Sequence, residues 1–580
     1  MRDRSDRIEE RLERLERTLE ELAPRVRAIE SAVQSAGAQV VDTPLAAPHG
    51  AALTPGALEV APVLALAGRT FVVLAGAYLL RALTESGLWS APTGVTLGLL
   101  YAALWLARAD RVGAAGRRLE GELHGATAVA IALPLVWEAA TTREILPGGS
   151  GAIALAAVAL LALMVAWWQR LHGLAWITTL GALAAGGALL VQTGAIAAYT
   201  VVFITLGIAT LWLGYDRDWY GLRWPTALAA DVTVAGLTAR ALVPQTGERP
   251  EVAIGAQLLL LGAYLVTIAA RTLLRGRTVL PFEIAQASAA LAVGLGGAMV
   301  VTGATGVGGL AVGLGALILG GGGYAVAFAF VARRQGRGLN FYFYTSLALA
   351  LTLAGSQRVL AAPAVALVWA GLAVLMTWLG HRASRVTLAA HGAVCATAAA
   401  YTSGLLHGSV GALFSEPSSW PAAMPLTWAV LALVAVSASL PRPSADEWGR
   451  AARLPRAVCA ALLILVGAGL LTHLVVVPLS TTATAGATAT VRTGILAGAA
   501  ILAALLGRYD RWIELGWFTY PILIAGAVKL LVDDLLHSPA AMLVVALALY
   551  GGALIVAPRL AGARHGRISA ASPEVESAVH

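Results

Sequence analysis

VAIGAQLLLLGAYLVTIAARTLLRGR, residues 252–277, is the stretch from which the fold is read. Nineteen uncharged residues run from Val252 to Ala270, about the length a helix needs to cross the hydrocarbon of a bilayer. They stop at three arginines, Arg271, Arg275 and Arg277. In lipid a helix satisfies its own backbone polar groups, and cations at its end hold that end in the headgroup layer.

Working outward, the same pattern recurs. Eighteen apolar segments begin near residues 62, 91, 122, 151, 172, 195, 224, 252, 280, 305, 340, 360, 386, 423, 456, 485, 513 and 538. The loops between them alternate. One set carries Arg108, Arg111, Arg117 and Arg118, then Arg170, then Arg217 and Arg223, then Arg271 to Arg277, and so on to Arg559, Arg564 and Arg567: 24 arginines in all. The other set holds Arg143, Arg249 and Arg358, only 3. Arginine marks the cytoplasmic side of membrane proteins, so this bias predicts orientation and both termini in the cytoplasm. It also checks the count, because one missed helix would scramble the alternation.

Composition agrees. Only 12% of the 580 residues are charged and mean hydropathy is +0.76, where a water-soluble chain carries roughly 25% charge. Strand alternation is absent, so the prediction is an all-α, polytopic integral membrane protein, not a barrel. The net charge of +8 lies on the arginine-rich side and reads as orientation and contact with membrane lipids, not nucleic acid. Cys395 and Cys459 fall inside apolar segments, and His391 with Cys395 supplies too few ligands for a metal. No cofactor motif is present. The glycines from Gly306 to Gly323 lack the strand and the Lys-Ser or Lys-Thr of a phosphate loop, and read as close helix packing.

Four regions follow. Residues 1–31 hold a heptad seam, Ile8, Leu12, Leu15, Leu19, Leu22, Val26 and Ile29, interrupted by Pro24. The seam predicts either a coiled coil joining copies through residues 8–29 or a single amphipathic helix. Residues 32–60 read as a flexible Ala/Pro linker, 61–559 as the helical array and 560–580 as a disordered cytoplasmic tail. Within the array the spans read as nine hairpins, each running outward and returning to an arginine. Echoes at AGAYLLRAL (75–83), AGLTARAL (235–242) and AGAVKLLVDD (525–534) suggest duplication.

Charges inside the spans are the best functional clue, because each costs a few kcal/mol unless paired or wetted. Arg81, Arg240, Arg492 and Lys529 fall toward the arginine-poor face, with Glu138, His473, Asp533 and Asp534 at the same level. Lys529, the only lysine, stands four residues before Asp533 and can pair with it on one helix face. Together these residues predict an outer-facing basic vestibule for an anionic solute or lipid, unless they simply neutralise one another or snorkel. Arg69 lies nearer the cytoplasmic end, with Asp231 and Glu283 as candidate partners. No catalytic constellation stands out: no His-Glu-x-x-His and no nucleophile elbow.

The run from Trp517 through Tyr520, Pro521, Lys529 and Asp533 to Gly551, Pro558 and Arg559 resembles the end of a bacterial membrane-protein family of unknown function. The overall plan resembles it too: coiled coil, Pro/Ala linker, then a long array opened by Gly68–Thr70. The resemblance implies a bacterial inner-membrane protein with a cell-envelope context and carries no catalytic residue. Three functions are therefore expected in competition: a transporter or flippase, a scaffold acting through the coiled coil, and a polyprenyl-linked glycan transferase or ligase.

Overall fold

A computed structural model describes residues 75–141, 145–146, 148–331, 338–383, 385–414, 453–480, 484–509 and 512–570, with isolated helical positions between 427 and 434. The heptad seam, the linker and Arg69 lie outside the described residues. Those described are helical and contain no strand. Residues 75–85 form α1. There follow α2 (Ala91–Ala114), α3 (Arg118–Thr141), α4 (Gly148–Gln169), α5 (His172–Thr193), α6 (Ile196–Arg217), α7 (Arg223–Ala241) and α8 (Pro250–Ala269). Then come α9 (Pro281–Thr305), α10 (Gly309–Val326), α11 (Gly338–Val359), α12 (Ala362–Arg382), α13 (Val386–Thr402) and α14 (Leu405–Phe414). The chain closes with α15 (Arg453–Leu479), α16 (Ala485–Leu506), α17 (Ile513–Asp534) and α18 (Ala540–Ala570).

Twelve of the described helices are long and apolar enough to cross a membrane. Their surfaces agree with their lengths: Ile153, Val191 and Ile318 are 72%, 79% and 74% exposed. Such apolar surface is a liability in water and the ordinary outer face of a protein in lipid. The chain is a multi-pass, all-helical membrane protein. The span expected from residue 386 is α13; Gly404, with a left-handed φ of 79°, separates it from α14, a short helix where the sequence predicts the loop 405–422.

Three main cores follow one another along the described residues. The largest joins α3 to α11 through residues such as Leu155, Leu206 and Leu260, all fully buried. A second gathers Trp369, Cys395 and Leu405 between α11 and α15, and a third sets Ala500 against Leu523 and Tyr550. Buried threonines such as Thr200 and Thr472 donate to the carbonyl four residues back, so their hydroxyls cost little inside the bundle.

The arginine-rich turns touch one another. Gln169 donates to Asp110 (2.6 Å), the Gly173 amide to Glu122 (2.8 Å) and the Trp167 indole to Asp216 (2.7 Å). Further along, Arg223 lies 4.4 Å from the Phe282 ring centroid, and buried Asn340 accepts from the Val279 amide and donates to the Arg277 carbonyl. These contacts gather turns distant in sequence onto one face.

The hairpins are out of phase with the expected ones. Helices that pack most extensively with a sequence neighbour, α2 with α3, α6 with α7, α10 with α11 and α12 with α13, are joined across arginine-rich turns. Pairs joined across arginine-poor turns, such as α9 with α10 and α11 with α12, pack far less. Glycine placement is the reason. A Cβ at Gly320 would lie 3.0 Å from the Ala348 carbonyl oxygen, and one at Gly355 would lie 2.7 Å from that of Gly313. On α13, a Cβ at Gly392 would meet the Ala373 carbonyl at 2.9 Å. Small residues let backbones approach this closely, and they face the partner across the arginine-rich turn. The helix through Gly320–Gly323 is unbroken.

Candidate functional site

The residues expected to line one vestibule are distributed over separate clusters, each with its own partners. The first lies among α1, α2 and α3. Arg81, near the end of α1, donates to Glu85 at 2.8 Å and sits 3.4 Å from Glu138 of α3. They border an open cleft of about 410 Å³, to which Tyr78, Thr84 and Trp137 contribute polar edges. Gly94 and Gly98 of α2 supply its wall. Pro134 lies inside α3 and lines the cleft with Ala130. Proline has no amide hydrogen, so the Ala130 carbonyl loses its intrahelical donor and is left as an acceptor on the cleft wall.

Arg240 forms the second cluster. It ends α7 and lies 3.8 Å from Glu248 in the following turn. Beneath it, Gln257 of α8 donates to Thr238 at 2.6 Å. On the neighbouring α11, Arg358 donates to Thr302 of α9 at 2.9 Å.

The third cluster is the most enclosed. Lys529 is 2% exposed and Asp534 fully buried. The Lys529 ammonium donates to Asp534 (2.6 Å), Thr493 (3.1 Å) and the Ala489 carbonyl (3.1 Å). Thr493 also donates to Asp534, and Asp533 lies 3.2 Å from the ammonium. The expected pairing with Asp533 is therefore present, but Asp534 is the nearer and more buried partner. Arg492, 5% exposed, precedes Thr493 on α16, and His473 is half-buried on α15.

These pairings set carboxylates against three of the four cations expected on this face. Arg81 faces two carboxylates, Arg240 one, and Lys529 two. Buried or half-buried cations in lipid need such counter-charges, and the chain provides them locally.

On the arginine-rich face Glu283 is fully buried and fully engaged. It accepts from Arg271 (3.1 Å), from the Tyr215 hydroxyl (2.5 Å) and from the Leu280 amide (2.6 Å), the last capping its own helix. Asp231 accepts from Gln286 at 3.0 Å. The carboxylates considered for Arg69 thus have partners of their own. Sequence reasoning missed Tyr215, Gln286, Asn340 and Thr493. The only signal for them was polar identity inside an apolar run.

His391 shares a hydrogen bond with the Tyr324 hydroxyl at 3.0 Å, which gives it a partner other than Cys395. Among the described residues no three His, Cys, Asp or Glu side chains group as a metal site. No family model, curated protein or solved structure matches the chain.

Proposed function

We propose that this chain is a transporter- or flippase-like protein of the bacterial cytoplasmic membrane, with eighteen spans and both termini on the arginine-rich, cytoplasmic side. Its ligand is an amphiphile whose charged head enters the cleft among α1, α2 and α3. The observation that carries this reading is the Arg81–Glu138 pair at 3.4 Å, set on the wall of an apolar cleft of about 410 Å³ that opens between helices. Ligand sites are mostly apolar with a few placed polar groups, and this cleft has that composition.

One guanidinium against two carboxylates gives the cluster a formal charge of −1, so a purely anionic head is not the best complement. A zwitterionic head is. Its phosphate would take Arg81, and its ammonium would take Glu138 and Glu85. The Arg81–Glu85 pair is about half exposed on both sides, and exposed pairs contribute only about 0–1 kcal/mol, so a bidentate phosphate displaces it cheaply.

The test is lipid scrambling by the purified full chain in liposomes, read with fluorescent phosphatidylethanolamine and phosphatidylglycerol. The expected result is faster movement of the zwitterionic lipid, and a loss of at least about tenfold, the equivalent of 1.4 kcal/mol, in Arg81→Gln/Glu138→Gln. Equal rates in wild type and the double variant would remove the reading.

A further inference from the structure

A second site lies on the opposite, arginine-rich face. From α4, Leu160, Leu163, Met164 and Trp167 line one side of an open groove of about 290 Å³. From α6, Ala209, Trp212, Leu213 and Asp216 line the other. Each set has the spacing i, i+3, i+4, i+7, so each is one continuous helix face. Two facing stripes make a channel that runs along the helices for about 10 Å.

The channel changes character along its length. Its deeper part is purely apolar. Its mouth is aromatic and charged: the Trp167 indole donates to Asp216 at 2.7 Å, Arg217 lies 5.5 Å from the Trp167 centroid, and Arg275 lies 4.8 Å from that of Trp212. Arg275 lines the groove although it belongs to neither helix. It follows the π-helical turn Ala270–Leu274 that continues α8, and its amide reaches back five residues to the Ala270 carbonyl. That widened turn ends α8 with Arg275 exposed beside Trp212.

Tryptophan pairs mark the level where headgroups meet acyl chains. Two arginines against one aspartate leave the mouth at +1, and Asp216 is already engaged by Trp167 and by Arg217 at 3.4 Å. Stacking on Trp212 holds the Arg275 guanidinium flat while leaving its edge free to grip a phosphate bidentately. We infer that the α4–α6 groove is a binding site for one anionic glycerophospholipid, an acyl chain lying between the helices and the phosphate held by Arg275. This site is separate from the cleft at Arg81, on the other face and of opposite formal charge.

Native mass spectrometry of the full chain, released from nanodiscs of equal phosphatidylglycerol and phosphatidylcholine, tests it. Wild type retains one phosphatidylglycerol in preference to phosphatidylcholine. Arg275→Gln lowers that retention about tenfold and equalises the two lipids. Ala209→Trp, which fills the channel and leaves Arg275 in place, loses the bound lipid of either kind. Asp216→Asn keeps the preference. Arg275 is exposed, so its variant folds, and unchanged unfolding of lipid-stripped protein verifies this. Equal retention of both lipids by wild type would overturn the headgroup assignment. Wild-type phosphatidylglycerol retention by Arg275→Gln would overturn the site, whatever the fate of the tryptophan variant.

Discussion

Lys529 Nζ lies 2.6 Å from Asp534 Oδ1, five residues further along the same helix. On an α-helix those positions point about 140° apart. They meet because Leu530–Asp534 is π-helical, and the Leu535 amide bonds to the Leu530 carbonyl. The wider turn brings residue i+5 over residue i, and the side chains of Thr493 and Asp533 complete the enclosure. Lys529 is thereby buried and paired within one junction of α16 and α17.

Breaking that junction from one side costs more than removing it. Asp534→Ala takes the nearest counter-charge from a buried ammonium, leaving it only the partly exposed Asp533, and destabilises by about 3 kcal/mol. Asp533→Asn has a far smaller effect, since that carboxylate is 31% exposed. Lys529→Met/Asp534→Leu recovers most of the loss, because both fully buried charges are gone and the remaining Asp533 carboxylate is 31% exposed to its surroundings. Thermal unfolding of the four proteins in one detergent decides it. An Asp534→Ala protein as stable as Asp533→Asn would mean the ion pair does not hold α17.

Close packing of α10 on α11 gives a test in which neighbours on one helix respond oppositely. A Cβ at Gly320 would lie 2.6 Å from the Thr352 hydroxyl, whereas nothing lies within 4 Å of one at Gly321. Gly320→Leu therefore overpacks the contact, at about 1–3 kcal/mol or more, while Gly321→Leu faces lipid and is tolerated. Unfolding temperature and gel-filtration profile report the difference. Similar behaviour of the two variants would mean that these helices do not meet through Gly320.

Several of these relationships could be read from residue order and others could not. The helices begin close to the expected residues because lipid forces unbroken apolar runs, and Arg271 or Arg382 marks a helix end whatever packs beside it. The pairing phase was not legible: Gly313 and Gly392 are visible as small residues, but which neighbour they face depends on rotation about the helix axis. Nor was the separation of the cations. Arg81, Arg240 and Lys529 share a depth, and depth is what sequence gives; position around the bundle is not. Asp534 is a visible candidate, but its pairing with Lys529 is not legible, because the expected spacing is that of an α-helix and a π-turn leaves no mark in the residues themselves. Glu283 reads as a candidate partner for Arg69 because nothing in residue order points to Tyr215, 68 residues away in the chain.

The count of eighteen spans turns on residues 415–452, described only at isolated positions, where the apolar segment near 423 is expected to cross once. Both native cysteines are buried, so they stay silent toward a membrane-impermeant maleimide. Single cysteines at exposed positions then report sides. Thr278→Cys, in an arginine-rich turn, and Gln245→Cys, in an arginine-poor one, label from opposite faces. Tyr509, 62% exposed, follows α16 and is the deciding position. With one crossing between α14 and α15, α15 runs away from the arginine-rich face and α16 returns to it, so Tyr509→Cys labels from the same side as Thr278→Cys. Without that crossing, α15 and α16 are inverted and Tyr509→Cys labels with Gln245→Cys. The second outcome would place Arg508 and Arg511 on the arginine-poor side, against the bias that orients every other turn, and would turn the Lys529 cluster toward the cytoplasm.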